Sequence, residues 1–415
     1  HHILLEGHVR EVIDETIDVS HTVGWFTTSY PVRLNASQNI EDTIIQTKEM
    51  LRAVPNKGIG FGALNQIKQI SANQPAISFN YLGQFQGRND QSLSKGHFRL
   101  VTDECGEMSA PENTSPLLLN ITAMVIDDCL HVNVGSQLTP EQTQNFVTAF
   151  EQTLTDIVDH TCEAAKQGSL STPSDYVVEN LSIDRLRNLQ QRFQIDDIDP
   201  ASSIQKGFVH HHITQPTDDA YRVQLLIDYH QALNVEKYQQ AWGLASAKYP
   251  ALRTAFDWDG DILQIITSNP SISSDHFEFY DLSQYDENER VDLIKEIQKK
   301  DRLSAFDLTR PRLIRFTIMK QTSSLFTVMK TEHHSIGDGW SSPILLQTIH
   351  QYYDALMNGK VPTIEVDNAY LATQRYNFEH KAKSDTYWQL AKQNFEGVND
   401  LKWILSQPID LESIK

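Results

Sequence analysis

Short apolar runs of strand length alternate with longer stretches of helical spacing along most of the chain, a pattern that predicts a mixed α/β protein. HILLEGH is a strand leading into residues 9–16, VREVIDET, which have helical spacing. HTVGWFTTSYPVRL is rich in β-branched and aromatic residues, and NIEDTIIQTKEMLRAV is a helix that PNKGIGFG breaks. AISFNYLGQF reads as a further strand, and LLLNITAMVI and CLHVNVGSQ as a hairpin turning at Asp127 and Asp128. Thr139 and Pro140 then open a helix as N-cap and first residue, with Phe146, Phe150, Leu154 and Ile157 spaced to form one buried face.

From 168 to 201 the pattern turns polar, acidic and Pro-containing, as expected of an inter-domain connector holding one short helix, SIDRLRNLQQRF. A second alternation starts at 202. SIQKGFVHHHI and VEKYQQAWGLASAKY read as helices, VQLLIDYHQAL as a β-type run, and PALRTAFDWDGDILQII turns back into strands. RLIRFTIMK and LFTVMKTEHH, separated by QTSS, form a hairpin, and SSPILLQTIHQYYDAL is a helix. The part from 368 onward is helical and polar. The expected division is therefore 1–167, a connector at 168–201, 202–367, and a helical last part at 368–415.

Length and charge narrow the function. At 415 residues the chain can hold two or three folded units. The formal charge of −19 argues against nucleic acid or an anionic membrane as partner, since phosphate recognition needs a basic stripe. The longest apolar run, 117–126, is broken by Asn120 and falls short of the ~20 residues of a membrane helix. Three scattered cysteines, Cys105, Cys129 and Cys162, suit a reducing compartment better than a disulfide scaffold, and a cytoplasmic location follows as the expectation.

The densest chemistry lies in His333-His334-Ser335-Ile336-Gly337-Asp338-Gly339, where a strand meets a helix. Neighbouring strand residues face opposite sides, so only one histidine can face a given cleft and the other packs inward. A histidine there could move a proton near neutral pH, as acyl transfer to an amine or hydroxyl requires. Gly337 and Gly339 make a tight turn around Asp338, which favours a structural ion pair with an arginine over a second catalytic group. The motif alone leaves proton transfer and a packed histidine pair both open. His210-His211-His212 is not a metal tract, because consecutive helical residues diverge by about 100°. Glu6 could be a general base at the end of its strand or a solvated surface glutamate. Asn80 and Tyr81 offer an amide and a phenol, or simply belong to an aromatic core strand.

EGHVRE, HTVGWFTTSYPVRL, PNKGIGFG and FNYLGQF occur in the order seen in epimerization domains of nonribosomal peptide synthetases. STPSDY, NLSIDRL, DDIDPASSIQKGFVHHH, KYPALRTAF and HHSIGDGWS resemble the connector and first half of a following condensation domain, of the type taking a D-configured donor and an L-configured acceptor. The resemblance covers nearly the whole chain and implies V-shaped pairs of lobes similar to chloramphenicol acetyltransferase, built as α+β two-layer sandwiches. It implies a chain holding the C-terminal lobe of an epimerization domain and the N-terminal lobe of a condensation domain. By position, Glu6 matches the base that removes the α-proton of a carrier-bound thioester, Tyr81 the opposing proton donor, and Asn80 lies beside it. His334 matches the condensation histidine, with His333, Asp338 and Gly339 in support and Arg253 as the candidate ion-pair partner of Asp338. The implied partners are upstream and downstream peptidyl carrier domains bearing 4′-phosphopantetheine, an adenylation domain and aminoacyl or peptidyl thioesters, with no metal. Val9, His21 and Phe61 depart from the epimerization pattern. Val9 and His21 motivate the alternative of a degenerate docking platform for carrier domains, and a free-standing HHxxxDG acyltransferase or metal hydrolase is a third possibility.

Overall fold

The computed structural model describes residues 2–8, 17–62, 64, 75–85, 110, 112–113, 116–126, 128–167, 171–268 and 272–393. The expected helix at 9–16, Cys105, Asp127 and the segment after 393 lie outside them. The chain is mixed α/β, as its alternating pattern requires, and forms two compact units, His1–Asp175 and Tyr176–Lys415.

The first unit is built on a five-stranded sheet in the order β2-β1-β3-β4-β5. β1 (His2–His8) pairs antiparallel with β2 (Thr27–Arg33), after which the chain forms the helix α1 (Ile40–Arg52). β3 (Ile77–Phe85) is parallel to both β1 and β4 (Leu119–Ile126), and β4 turns into the antiparallel β5 (Cys129–Ser136). Asp128 adopts φ 62 in that turn, a conformation short polar side chains tolerate. The long helix α2 (Pro140–Gln167) starts as its sequence dictates: the amide of Gln142 donates to Thr139 Oγ1 at 3.3 Å, and Gln142 Oε1 accepts from the Thr139 amide at 3.1 Å. Its face of Phe146, Phe150, Leu154 and Ile157 is half-buried rather than buried. Asp175 closes the unit, accepting from Lys48 at 2.5 Å and Arg52 at 2.6 Å on α1 and from the Thr172 amide at 2.7 Å.

In the second unit, α3 (Ile183–Arg192) and β6 (Ile195–Pro200) precede α4 (Ser203–Thr214), which begins with a Ser202/Gln205 capping box. β7 (Arg222–Tyr229), α5 (Val235–Lys248), β8 (Thr254–Asp257), β9 (Leu263–Thr267) and β10 (Phe277–Asp281) follow. Then come α6 (Glu287–Leu303), the hairpin β11 (Ile314–Lys320) and β12 (Phe326–His333), α7 (Ser341–Met357), α8 (Ala369–Glu379) and α9 (Lys381–Lys392). The strands form a sheet β10-β11-β12-β7 and a smaller one, β6-β9-β8. The core is the packing of Trp242, Tyr238 and Ile349 from α5 and α7 against Phe316 and Val328 of the larger sheet. Met319 and Met329 bury the opposite face against α6, so this sheet is helix-covered on both sides.

Part of the stretch read as a connector is structural. Leu186 and Leu189 of α3 and Ile198 of β6 are buried with Ala255, Leu263 and Ile265, and β6 pairs with β9. The aspartates that look like solvated linker are matched by distant arginines, Asp196 by Arg253 and Asp197 and Asp199 by Arg375, while Arg185 and Arg192 of the same stretch reach Asp257 on β8. Through Arg375 and the buried Leu371, α8 also belongs to this packing. Leu189 is 1% exposed, so Leu189→Ala should cost about 2–4 kcal/mol in urea denaturation of the chain. A change below about 0.5 kcal/mol would mean that α3 is a solvated tether after all.

Candidate functional site

β12 is buried from end to end, so every residue on it is committed to one face or the other. Strand alternation sends Phe326, Val328, Lys330 and Glu332 to the α5/α7 side and Thr327, Met329, Thr331 and His333 to the other. The two histidines that end the strand are divided in the same way. His333 is buried, edge-on to Phe208 and Phe306, and its Nδ1 accepts from the Ser335 amide at 3.2 Å and faces Ser335 Oγ at 2.8 Å. Burial, reinforced by the neighbouring His212 and Arg222, lowers its pKa to about 4, so it is neutral at pH 7. His334 is exposed, and its ring stacks on Phe208 at 5.7 Å.

Two main-chain contacts hold His334. Its amide donates to the Tyr221 carbonyl at 2.8 Å, and Tyr221 adopts φ 66, a left-handed conformation a tyrosine rarely takes. Its Nδ1 lies 2.8 Å from the Gly337 carbonyl. A carbonyl can only accept, so Nδ1 is the protonated nitrogen, and in the neutral ring the lone pair is on Nε2. Asp338 shapes the turn that delivers this carbonyl, accepting from the Ser341 amide at 2.8 Å and hydroxyl at 2.7 Å as α7 begins. Those two bonds hold its carboxyl below the usual range. Gly339 borders the same turn, in open space. The ion pair expected between Asp338 and Arg253 is not formed. Arg253 is buried beside β8, where its guanidinium reaches Asp196 at 2.6 Å and the Ser246 and Thr267 carbonyls, while Asp338 is engaged by Ser341.

His334 opens into a cavity of about 610 Å³. Phe208, Leu252, Ile336 and Leu345 supply apolar wall, and Glu332, Asp338 and Asp367 supply carboxylates, with no Lys or Arg among the lining residues. Gln205 ties the wall together, donating to the Ser335 carbonyl at 3.1 Å and to Tyr370 Oη at 3.0 Å. Phe208, Gln205, Tyr370 and Glu332 escaped the sequence reading. Only Glu332 had a local signal, since it stands two residues before His334 in a strand.

In the first unit, Asn80 Nδ2 donates to Glu6 Oε2 at 2.6 Å, so these two residues are brought together. Tyr81 is not with them. Leu4 pairs with Ser78, which puts Glu6 and Asn80 on one face, whereas Tyr81 pairs with Ala123 on the face that buries Leu119 and Ile121. The tyrosine is 45% exposed there. The triple histidine of α4 splits as helical divergence requires: His211 Nε2 lies 3.3 Å from Asp218, and His212 turns to Trp258. Among the described residues no group of three or more His, Cys, Asp or Glu is placed to hold a metal ion, and no helix is long and apolar enough to cross a membrane.

The site is thus a histidine at the end of a strand, its ring stacked on Phe208 at a cavity wall and followed by a turn that Asp338 shapes. A family model for the condensation domain matches residues 2–179 and 195–409, and the chain belongs to that family. It is 29% identical over 412 residues to a component of the mycosubtilin synthase of Bacillus subtilis, a match covering 95% of this chain and 15% of that protein. To a component of the linear gramicidin synthase of Brevibacillus parabrevis it is 30% identical over 415 residues, covering 95% of this chain and 8% of the relative. The chain thus spans a small part of these relatives. The crystal structure of the starter condensation domain of rhizomide synthetase is similar over 49% of this chain and 51% of that one, with 17% identity and a TM-score of 0.41.

His333 also makes stability depend on pH. Its folded-state pKa lies below the ordinary value of 6.5, so the unfolded chain binds the extra proton first and stability falls as pH drops from about 6.5 to 4. This contribution is about 3 kcal/mol. Asp199, pushed up to about 6 chiefly by burial and then by Asp197, acts in the opposite sense, losing stability as pH rises through that range. The histidine is isolated by difference: denaturation of wild type and His333→Asn at pH 7.5 and 4.5 should show a shallower acid loss in the variant. Equal losses would contradict a buried neutral His333.

Proposed function

We propose that the second unit forms a peptide bond between two carrier-bound substrates, with His334 as the proton acceptor. The observation that carries this reading is the free Nε2 of His334 over the cavity, its ring fixed by the Gly337 carbonyl and Phe208. The acceptor amine nitrogen attacks the donor thioester carbonyl. As the C–N bond forms, Nε2 takes the amine proton, the C–S bond breaks, and the proton passes to the departing thiolate. Carrier domains upstream and downstream would present both substrates on 4′-phosphopantetheine arms, loaded by an adenylation domain. The neutral pantetheine part of such an arm, made of amides and methylenes, suits a wall of Phe208, Leu252, Ile344 and Leu345 with Ser202 and Gln205 between. In the parent synthetase, His334→Ala should lower the rate of peptidyl-carrier formation, followed by mass spectrometry, about 10²–10⁴-fold with the melting temperature unchanged. A wild-type rate would refute the assignment.

A second reading concerns the first unit, whose motif order supports the C-terminal lobe of an epimerization domain over 1–167, ahead of the connector at 168–201, the condensation lobe at 202–367 and the start of its companion at 368–415. Glu6, exposed and engaged through one oxygen by Asn80, would remove the α-proton of a carrier-bound residue. Deuterium wash-in from heavy water in the parent should vanish in Glu6→Gln and persist in Tyr81→Phe, because Tyr81 occupies the other face of the sheet. Absence of exchange in wild type would leave the first unit as a carrier-docking spacer.

A further inference from the structure

Glu332 is not used in the chemistry above, yet it is a wall residue of the same cavity as His334. Lys330 and Glu332 stand two residues apart on one face of β12, and His334, in the turn just past its end, lines the same cavity as Glu332. Lys330 is 1% exposed, and its ammonium lies 2.6 Å from Glu332 Oε1 and 3.4 Å from Ser342 Oγ. The lysine holds one carboxylate oxygen from behind. Among the described residues the other oxygen, Oε2, has no hydrogen-bond partner. The other two carboxylates of the wall are engaged in turns, Asp338 by Ser341 and Asp367 by the Ala369 amide at 3.0 Å. A fixed, unpartnered carboxylate oxygen in a wall without Lys or Arg complements an N–H donor or a cation rather than an anion.

We propose that Glu332 recognises the acceptor's amine, accepting one N–H through Oε2 while another faces Nε2 of His334; the proposal rests on the peptide-forming reading above. Glu332 and His334 line one cavity and are two residues apart, so their Cα atoms are at most about 7 Å from each other, room for one nitrogen within hydrogen-bond reach of both side chains. The buried lysine gives the pair no net charge. The amine is therefore oriented without being locked as an ammonium, the form that cannot attack. Glu332 is in this account a specificity-determining residue that selects amines over other nucleophiles.

The test is calorimetric binding, at pH 7.5, of two stable pantetheine amides that differ only in the amine, the L-alanyl and propionyl conjugates of aminopantetheine, to the 415-residue chain. Wild type should prefer the alanyl ligand roughly tenfold. Glu332→Gln should bring the two affinities together by weakening the alanyl ligand alone. The Lys330→Met/Glu332→Met double variant replaces the buried pair by apolar volume, so it should keep its melting temperature and lose the same preference. Retention of the preference in both variants, or an equal loss for both ligands, overturns the proposal. Equal binding of the two ligands by wild type overturns it while leaving the cavity as a thioester-arm site. Binding of neither overturns both readings.

Discussion

The hydrogen bond from His334 Nδ1 to the Gly337 carbonyl is the contact on which the account of this site depends. It decides which ring nitrogen carries the proton, and so whether a base faces the cavity at all. The contact exists because the chain reverses sharply after β12: the Tyr221 carbonyl takes the His334 amide and Asp338 takes the amide and hydroxyl of Ser341. Phe208, brought in by α4, then fixes the plane of the ring. Adjacent in sequence, the two histidines carry opposite tautomers. The Nδ1 of His333 accepts from a backbone amide, whereas that of His334 donates to a carbonyl.

Upstream of that turn, the constraint is the burial of β12 on both faces. A strand enclosed between two helical layers must match the polar groups it buries away from any cavity, since an unpaired one would cost several kcal/mol. Thr331 does so through Asp301, which also holds Arg315. Lys330 and Glu332 do so through each other. The same enclosure that makes the hairpin a rigid element thus forces its polar residues into pairs, and at the open end of the strand one pair borders the cavity. Rigidity and site chemistry have a common origin in this strand.

The strands and helices were legible because their periodicities are local: the apolar hairpin of β11 and β12, the Thr139 start of α2 and the SIQKGFVHHHI helix, α4, read directly from sequence. The division of labour between His333 and His334 was legible in principle, though not which one faces the cleft, since that depends on the helices covering each side. What escaped was long-range charge matching. Asp197 and Asp199 look like linker until Arg375, 178 and 176 residues away, arrives from α8. Arg253 and Asp338 are a plausible pair by charge alone, but the arginine is claimed by Asp196 across the small sheet. Tyr81 shows the same limit: its place next to Asn80 sets the two on opposite faces of their strand, but only the pairing of Leu4 with Ser78 puts Glu6 on the Asn80 side.

The state of the His334 ring is the most direct test. Nitrogen-15 spectra of histidine-labelled protein at pH 8, with the His334 signals assigned by their loss in His334→Gln, report each ring nitrogen separately. The account predicts a protonated, pyrrole-type Nδ1 and an unprotonated, pyridine-type Nε2. The reverse pattern, or a ring exchanging freely between the two, would mean that the Gly337 carbonyl does not hold the histidine and that the site has no preorganised base.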